Sequence, residues 1–181
     1  MQKFISIDIP TKPYIKAYII HKLGEMPIMT TGRNGDTIGH KLYDLLQHKT
    51  NECKKDYSSI LYTVSIRIRI PKHTFKNRGH NLNETNLRNF NLFIEKELKE
   101  KFHFYMNEYQ EYLPNIINNL PAVRKKLGID DDAWAEESMI KDYQRYRIYK
   151  KTFLKKNAKT YTVTVLHLYC AQLLFIFGHA K

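Results

Sequence analysis

The chain has 181 residues, a formal net charge of +12 and an apolar content of 43%. This length fits one domain with a small appended module, and this apolar content argues against an intrinsically disordered chain. The positive charge predicts attraction to nucleic acid or to an anionic membrane surface, and it disfavours basic partners.

The first predicted elements are a strand and a helix. Isoleucines at every second position predict a strand over residues 3–9. Residues 14–23 then predict a helix, with Pro13 in its first turn and Gly24 just beyond its end. The apolar run at the N-terminus is short and carries Asp8, so we expect no signal peptide.

The two cysteines indicate the redox environment. Cys53 and Cys170 lie far apart in the sequence and do not have the spacing of a metal site. Such cysteines favour a reducing compartment, in which thiols stay free. We therefore expect a cytoplasmic protein.

A second predicted helix covers about residues 37–49. Its surface carries His40, Asp44 and His48 at intervals of four residues, a spacing that can converge on a metal ion. The sequence supplies no obvious further ligand, so we expect a polar helix surface with no metal, no cofactor and no catalytic set. A metal-dependent enzyme is kept as an alternative.

The clearest predicted strand is Ile60–Ile70, where six apolar residues occupy every second position. Its other face carries Arg67 and Arg69. A basic sheet face can bind the nucleic-acid backbone, although exposed sheets also carry arginine for solubility and edge protection. A long helix from Glu84 to Tyr112 is predicted next, and Pro114 follows its end.

The C-terminal part has the outline of a helix-turn-helix. Pro121 predicts the start of a short helix over Ala122–Leu127, which Gly128 ends. A longer helix is predicted from Asp130 to Lys151, acidic at its start and basic at its end. Between Lys141 and Lys159 the chain carries eight lysine or arginine residues and one acidic residue.

A basic helix with interleaved tyrosines is typical of a surface that binds phosphates. Arg124 and Glu137 depart from a regular helix-turn-helix, which prefers a small and an apolar residue there. The alternatives are a solvated helix whose charges match its dipole, and a surface for a partner protein. The predicted nucleic-acid-binding residues are Lys141, Gln144, Arg145, Arg147, Lys150 and Lys151, with Arg67 and Arg69 on the sheet.

The segment Thr160–Gly178 contains no lysine, arginine, aspartate or glutamate. Its alternating start favours a buried strand or hairpin. Its length would also suit a marginal membrane anchor, although His167 and Gln172 lie within it. A tail that is not native to the fold is the third alternative.

Three segments carry a resemblance: Ile7–Lys12, Lys41–Leu46 and Asp142–Arg147. They resemble small proteins encoded on conjugative elements and prophages of gut anaerobic bacteria. The likeness covers most of residues 1–150 and stops before the apolar tail. It implies a cytoplasmic accessory protein of mobile DNA, and it carries over no site residues.

Together these patterns predict an α+β fold, with a small sheet of about three strands, helices on one face and a C-terminal helix-turn-helix-like module. The predicted domains are an α+β core over 1–113, a nucleic-acid-binding module over 114–159 and an apolar tail over 160–181. We expect a non-enzymatic accessory or regulatory protein of a mobile genetic element that binds nucleic acid, and DNA rather than RNA. We identify no small-molecule substrate, and we do not expect it to bind a membrane. A protein-interaction module is the other alternative.

Overall fold

The structure, a computed structural model, describes residues 4–24, 28–29, 37–48 and 62–154. The chain divides into two compact units, Met1–Ser138 and Met139–Lys181. The strands of the described residues are β1 (Phe4–Thr11), β2 (Ile28–Met29) and β3 (Val64–Pro71). The helices are α1 (Pro13–Leu23), α2 (Thr37–Leu45), α3 (Lys72–Arg78), α4 (Glu84–Gln110), α5 (Ile116–Leu127) and α6, which includes residues 136–154.

Strands β1 and β3 form an antiparallel ladder of eight residue pairs, in which Ile9 lies opposite Ile66 and Ile7 lies opposite Ile68. The alternating isoleucines of both strands share one face, and Ile9, Ile66 and Ile68 are each at most 1% exposed. The polar residues between the isoleucines of β3 are exposed. The predicted alternation of Ile60–Ile70 is therefore confirmed over the described part of that strand.

The predicted sheet of about three strands is wrong, although the broader α+β class is roughly compatible with the described elements. Among the described residues the protein is rich in helix, and its sheet is essentially the two-stranded ladder of β1 and β3. Strand β2 adds only two residues, Ile28 and Met29, which pair in parallel with β3.

Helix α4 provides the central apolar surface of the first unit. Its first turn is capped by Asn83, whose side-chain oxygen accepts a hydrogen bond from the backbone N–H of Asn86 at 2.7 Å. Apolar residues spaced three or four apart then form one buried stripe. These residues are Leu87, Phe90, Ile94, Leu98, Phe102 and Met106.

A buried polar contact joins α4 to β1. The hydroxyl of Thr11 donates to Asn91 Oδ1 at 2.6 Å, and Asn91 Nδ2 donates to the backbone oxygens of Pro10 at 3.1 Å and Leu87 at 3.0 Å. Both side chains are almost fully buried. The hydrogen bonds therefore offset the cost of removing these polar groups from water and fix the position of β1 along α4.

The helix-turn-helix part of the prediction needs correction. Helix α5 begins at Ile116 rather than after Pro121, because Asn115 caps it by accepting a hydrogen bond from the N–H of Ile117 at 3.0 Å. Gly128 ends α5 in the left-handed conformation, as predicted. Helix α6 starts only at residue 136, so the link of eight residues exceeds the three to four typical of the motif.

Candidate nucleic-acid interface

The link between α5 and α6 is organised by a buried arginine. Arg124 is only 6% exposed. Its Nη1 donates to the backbone oxygen of Asp130 at 2.9 Å, and its Nη2 donates to the backbone oxygen of Trp134 at 2.7 Å. Nη1 also lies 3.2 Å from a carboxylate oxygen of Asp131. Arg124 therefore stabilises a turn where the sequence predicted the start of a helix.

Trp134, at the end of this turn, belongs to an aromatic cluster of the first unit. Its ring lies 5.1 Å from that of Tyr14 in a stacked arrangement and 5.2 Å from that of Phe102 in a tilted one, measured between centroids. It is 7% exposed. The turn is thus held by packing as well as by the guanidinium of Arg124.

Helix α6 presents the predicted contact residues to solvent. Of the second unit, the structure describes residues 139–154, all of them helical. Met139 and Tyr143 are buried, and burial raises the pKa of the Tyr143 hydroxyl. The exposed residues include all six predicted contact residues of this helix: Lys141, Gln144, Arg145, Arg147, Lys150 and Lys151.

The cations lie on more than one side of α6. Lys141, Gln144 and Arg145 share one side, because residues three and four apart are neighbours on a helix surface. Arg147 and Lys150 instead lie on the side of the helix that carries Tyr143 and Tyr146. The Arg147 guanidinium is 6.0 Å from the ring centroid of Tyr143, and the Lys150 ammonium is 5.9 Å from that of Tyr146. These distances are at the outer limit of cation–π contact.

The described part of α6 has a high charge density. Residues 139–154 carry five basic residues and one acidic residue, Asp142. Every one of these basic side chains is exposed. A helix with this charge attracts a polyanion, and its lysine and arginine donors suit phosphate oxygens.

The second predicted patch lies on the outer face of the β1–β3 ladder. Arg67 and Arg69 are both exposed and are two residues apart on β3, so they share that face. Arg67 pairs with Asp8, which lies directly opposite it on β1. An exposed arginine already paired with a carboxylate is a weaker phosphate ligand, because its charge is locally compensated.

The sequence interpretation missed an exposed aromatic pair on α6. The rings of Tyr149 and Phe153 are stacked, with centroids 6.2 Å apart and planes inclined by 23°. Tyr149 is 68% exposed and Phe153 is 52% exposed. The spacing of four residues between two aromatics in a basic helix was the available signal.

The candidate metal ligands are separated by the end of α2. His40, Asp44 and His48 are all exposed. Helix α2 ends at Leu45, so His48 lies beyond it and the four-residue spacing no longer places the three on one helix face. Within the described ranges, no group of three or more histidine, cysteine, aspartate or glutamate residues could hold a metal ion.

Two predictions concern the apolar tail and the membrane. The segment 160–181 and its three alternatives lie outside the described residues. Among residues 4–24, 28–29, 37–48 and 62–154, no helix has the length and apolar character needed to cross a bilayer.

No model of a known protein family matches the chain, and no curated protein or solved structure matches it either. The resemblance to proteins of mobile elements therefore stays a prediction.

Proposed function

We propose that the protein binds nucleic acid, and DNA rather than RNA, through the exposed basic part of α6. The observation that carries this proposal is the exposure of five basic side chains and Gln144 within residues 139–154. Arginine and lysine donors of this kind bind phosphate oxygens, and binding of this type releases counterions.

Each side chain has a proposed role. Lys141, Arg145, Lys150 and Lys151 bind phosphates, which fixes the position of the strand without reading its sequence. Gln144 and Arg145 lie on the same side of α6 and carry paired donors or acceptors, so they are the proposed base contacts. Arg147 is exposed, and its guanidinium N–H groups are proposed to bind a phosphate.

The proposed biological role rests on a resemblance in sequence. The segments Ile7–Lys12, Lys41–Leu46 and Asp142–Arg147 resemble proteins of conjugative elements and prophages. We propose a non-enzymatic accessory or regulatory role on such an element, in the cytoplasm. Two cysteines far apart in the sequence, Cys53 and Cys170, do not have the spacing of a metal site and support that compartment.

Charge-matched variants test whether α6 or the total charge of +12 causes binding. Lys151→Gln removes one positive charge from α6 and retains a good helix former. Lys96→Gln removes the same charge from an exposed position of α4, where Lys96 Nζ lies 3.9 Å from Glu100. Fluorescence anisotropy with a labelled DNA measures the affinity of each variant across a salt series.

We expect Lys151→Gln to weaken binding and to reduce the salt slope by about one, with Lys96→Gln close to the wild type. Equal losses in both variants would contradict a role for α6 and would indicate binding by overall charge. Far-UV circular dichroism of both variants controls for a loss of helix.

A further inference from the structure

One side of α6 carries a row of residues at intervals of four. Lys141 and Arg145 are followed along this row by Tyr149 and Phe153. Residues four apart lie next to each other on a helix surface, so two cations and two stacked rings form one continuous strip. Phosphates and flat apolar rings are the two ligand chemistries that such a strip accommodates.

The aromatic half of this strip fits unpaired bases. In a duplex the faces of the bases are already stacked on one another, so an aromatic side chain can stack on a base only if the DNA is kinked. In a single strand the bases can unstack and lie against aromatic side chains. Tyr149 and Phe153, at 68% and 52% exposure, offer ring surface for that contact.

The distribution of the cations around α6 also favours a single strand over a duplex. Lys141 and Arg145 lie on one side of α6, whereas Arg147 and Lys150 lie over the rings of Tyr143 and Tyr146. A stiff duplex meets a helix mainly from one side. A flexible single strand can follow the surface and bring its phosphates to cations on both sides.

We infer that the described part of α6 binds single-stranded DNA, with bases stacked on Tyr149 and Phe153 and phosphates on the surrounding cations. This inference rests on the proposed function, which assigns nucleic acid to the helix. The ring faces and ammonium groups make no use of a ribose 2′-hydroxyl, so RNA should bind no more tightly than DNA.

The test compares three labelled ligands of one sequence, about 16 nucleotides long: single-stranded DNA, its duplex and the matching single-stranded RNA. The full-length protein is compared with the double variant Tyr149→Leu/Phe153→Leu, which removes both rings and retains apolar side chains. The control is Tyr112→Leu, because Tyr112 is 78% exposed and lies outside α6.

The wild type should bind the single-stranded DNA more tightly than the duplex. The double variant should bind single-stranded DNA about tenfold more weakly, with the salt slope and the duplex affinity unchanged. Tyr112→Leu should match the wild type.

The outcomes separate this inference from the proposed function. Tighter binding of the duplex, a double variant that equals the wild type, or RNA bound tenfold more tightly would each overturn the inference and leave nucleic-acid binding by α6 intact. If none of the three ligands binds, the proposed function fails and this inference fails with it.

Discussion

Arg67 donates two hydrogen bonds to the carboxylate of Asp8 across the β1–β3 ladder, from Nε to Oδ1 at 2.8 Å and from Nη2 to Oδ2 at 3.1 Å. The hydrogen bond from the guanidinium lowers the pKa of Asp8, and the carboxylate raises the pKa of Arg67. The pair is exposed on both sides, so its contribution to stability is small. Its main consequence is to neutralise one of the two arginines predicted to bind phosphate.

Removing this neutralisation should be measurable as a change in DNA binding. Asp8→Asn removes the carboxylate that compensates the charge of Arg67, so we expect the salt slope to steepen if DNA reaches this face. Arg69→Gln should weaken binding more than Arg67→Gln, which removes a charge that Asp8 already compensates. Anisotropy titrations of the three variants check this, and an Arg67→Gln loss as large as that of Lys151→Gln would contradict it.

Arg124 should be among the most sensitive side chains for stability. Arg124→Met leaves the backbone oxygens of Asp130 and Trp134 without their buried donor, so we expect the free energy of unfolding to fall by about 2–4 kcal/mol. Lys125→Met, at the exposed neighbouring position, should change it by less than about 0.5 kcal/mol.

Urea unfolding followed by tryptophan fluorescence measures both variants, since Trp134 is the only tryptophan of the chain. A loss below about 1 kcal/mol in Arg124→Met would mean that the turn is held by the packing of Trp134 alone.

The acid sensitivity of the first unit should depend on Glu97 of α4. Its carboxylate accepts hydrogen bonds from Tyr18 Oη at 2.8 Å and Lys22 Nζ at 2.5 Å. Burial acts to raise the pKa of Glu97, but these hydrogen bonds and the charges of Lys22 and Lys101 together lower it below its ordinary value. A group with a lowered folded pKa stabilises the fold when it is ionised.

Stability from Glu97 is present above the ordinary glutamate pKa of about 4.3 and is lost as the pH falls through the lower folded value. Glu97→Gln should cost up to about 1 kcal/mol at neutral pH and flatten the loss of stability on acidification. Denaturant unfolding at a series of pH values, with the exposed Glu100→Gln as control, checks this prediction. A Glu97→Gln variant that loses as much stability on acidification as the wild type would contradict it.

Local patterns were sufficient for the long regular elements. Alternating isoleucines predicted β1 and β3, and the three-to-four spacing of apolar residues predicted α4 to within two residues of its end. These predictions succeeded because each element buries one face, and periodicity reports that face directly.

Features that depend on contacts between distant residues could not be predicted in this way. The turn before α6 depends on a guanidinium ten residues earlier that binds the backbone oxygen of Trp134. The Arg67–Asp8 pair joins residues 59 apart. The same limit applies to the candidate site, since exposed aromatics such as Tyr149 look like core residues in sequence.

The apolar tail can be tested by truncation. The two elements with the clearest core patterns, β3 and α4, both precede the tail, so we expect a protein without residues 160–181 to fold and still bind DNA. If the tail supplies a core strand, its deletion would instead remove several buried side chains, each of which contributes roughly 1.5–3 kcal/mol to stability. An insoluble truncated protein, or one that melts far below the full chain, would show that the tail is part of the core.

In the proposed function, exposed cations on α6 bind the phosphates of DNA. The affinity of the unmodified protein for DNA over a series of salt concentrations tests this. We predict binding at low salt whose logarithm falls linearly with the logarithm of salt concentration, with a slope of about −3 to −5 for four or five phosphate contacts. Binding that is absent at low salt, or that does not change with salt, would contradict it.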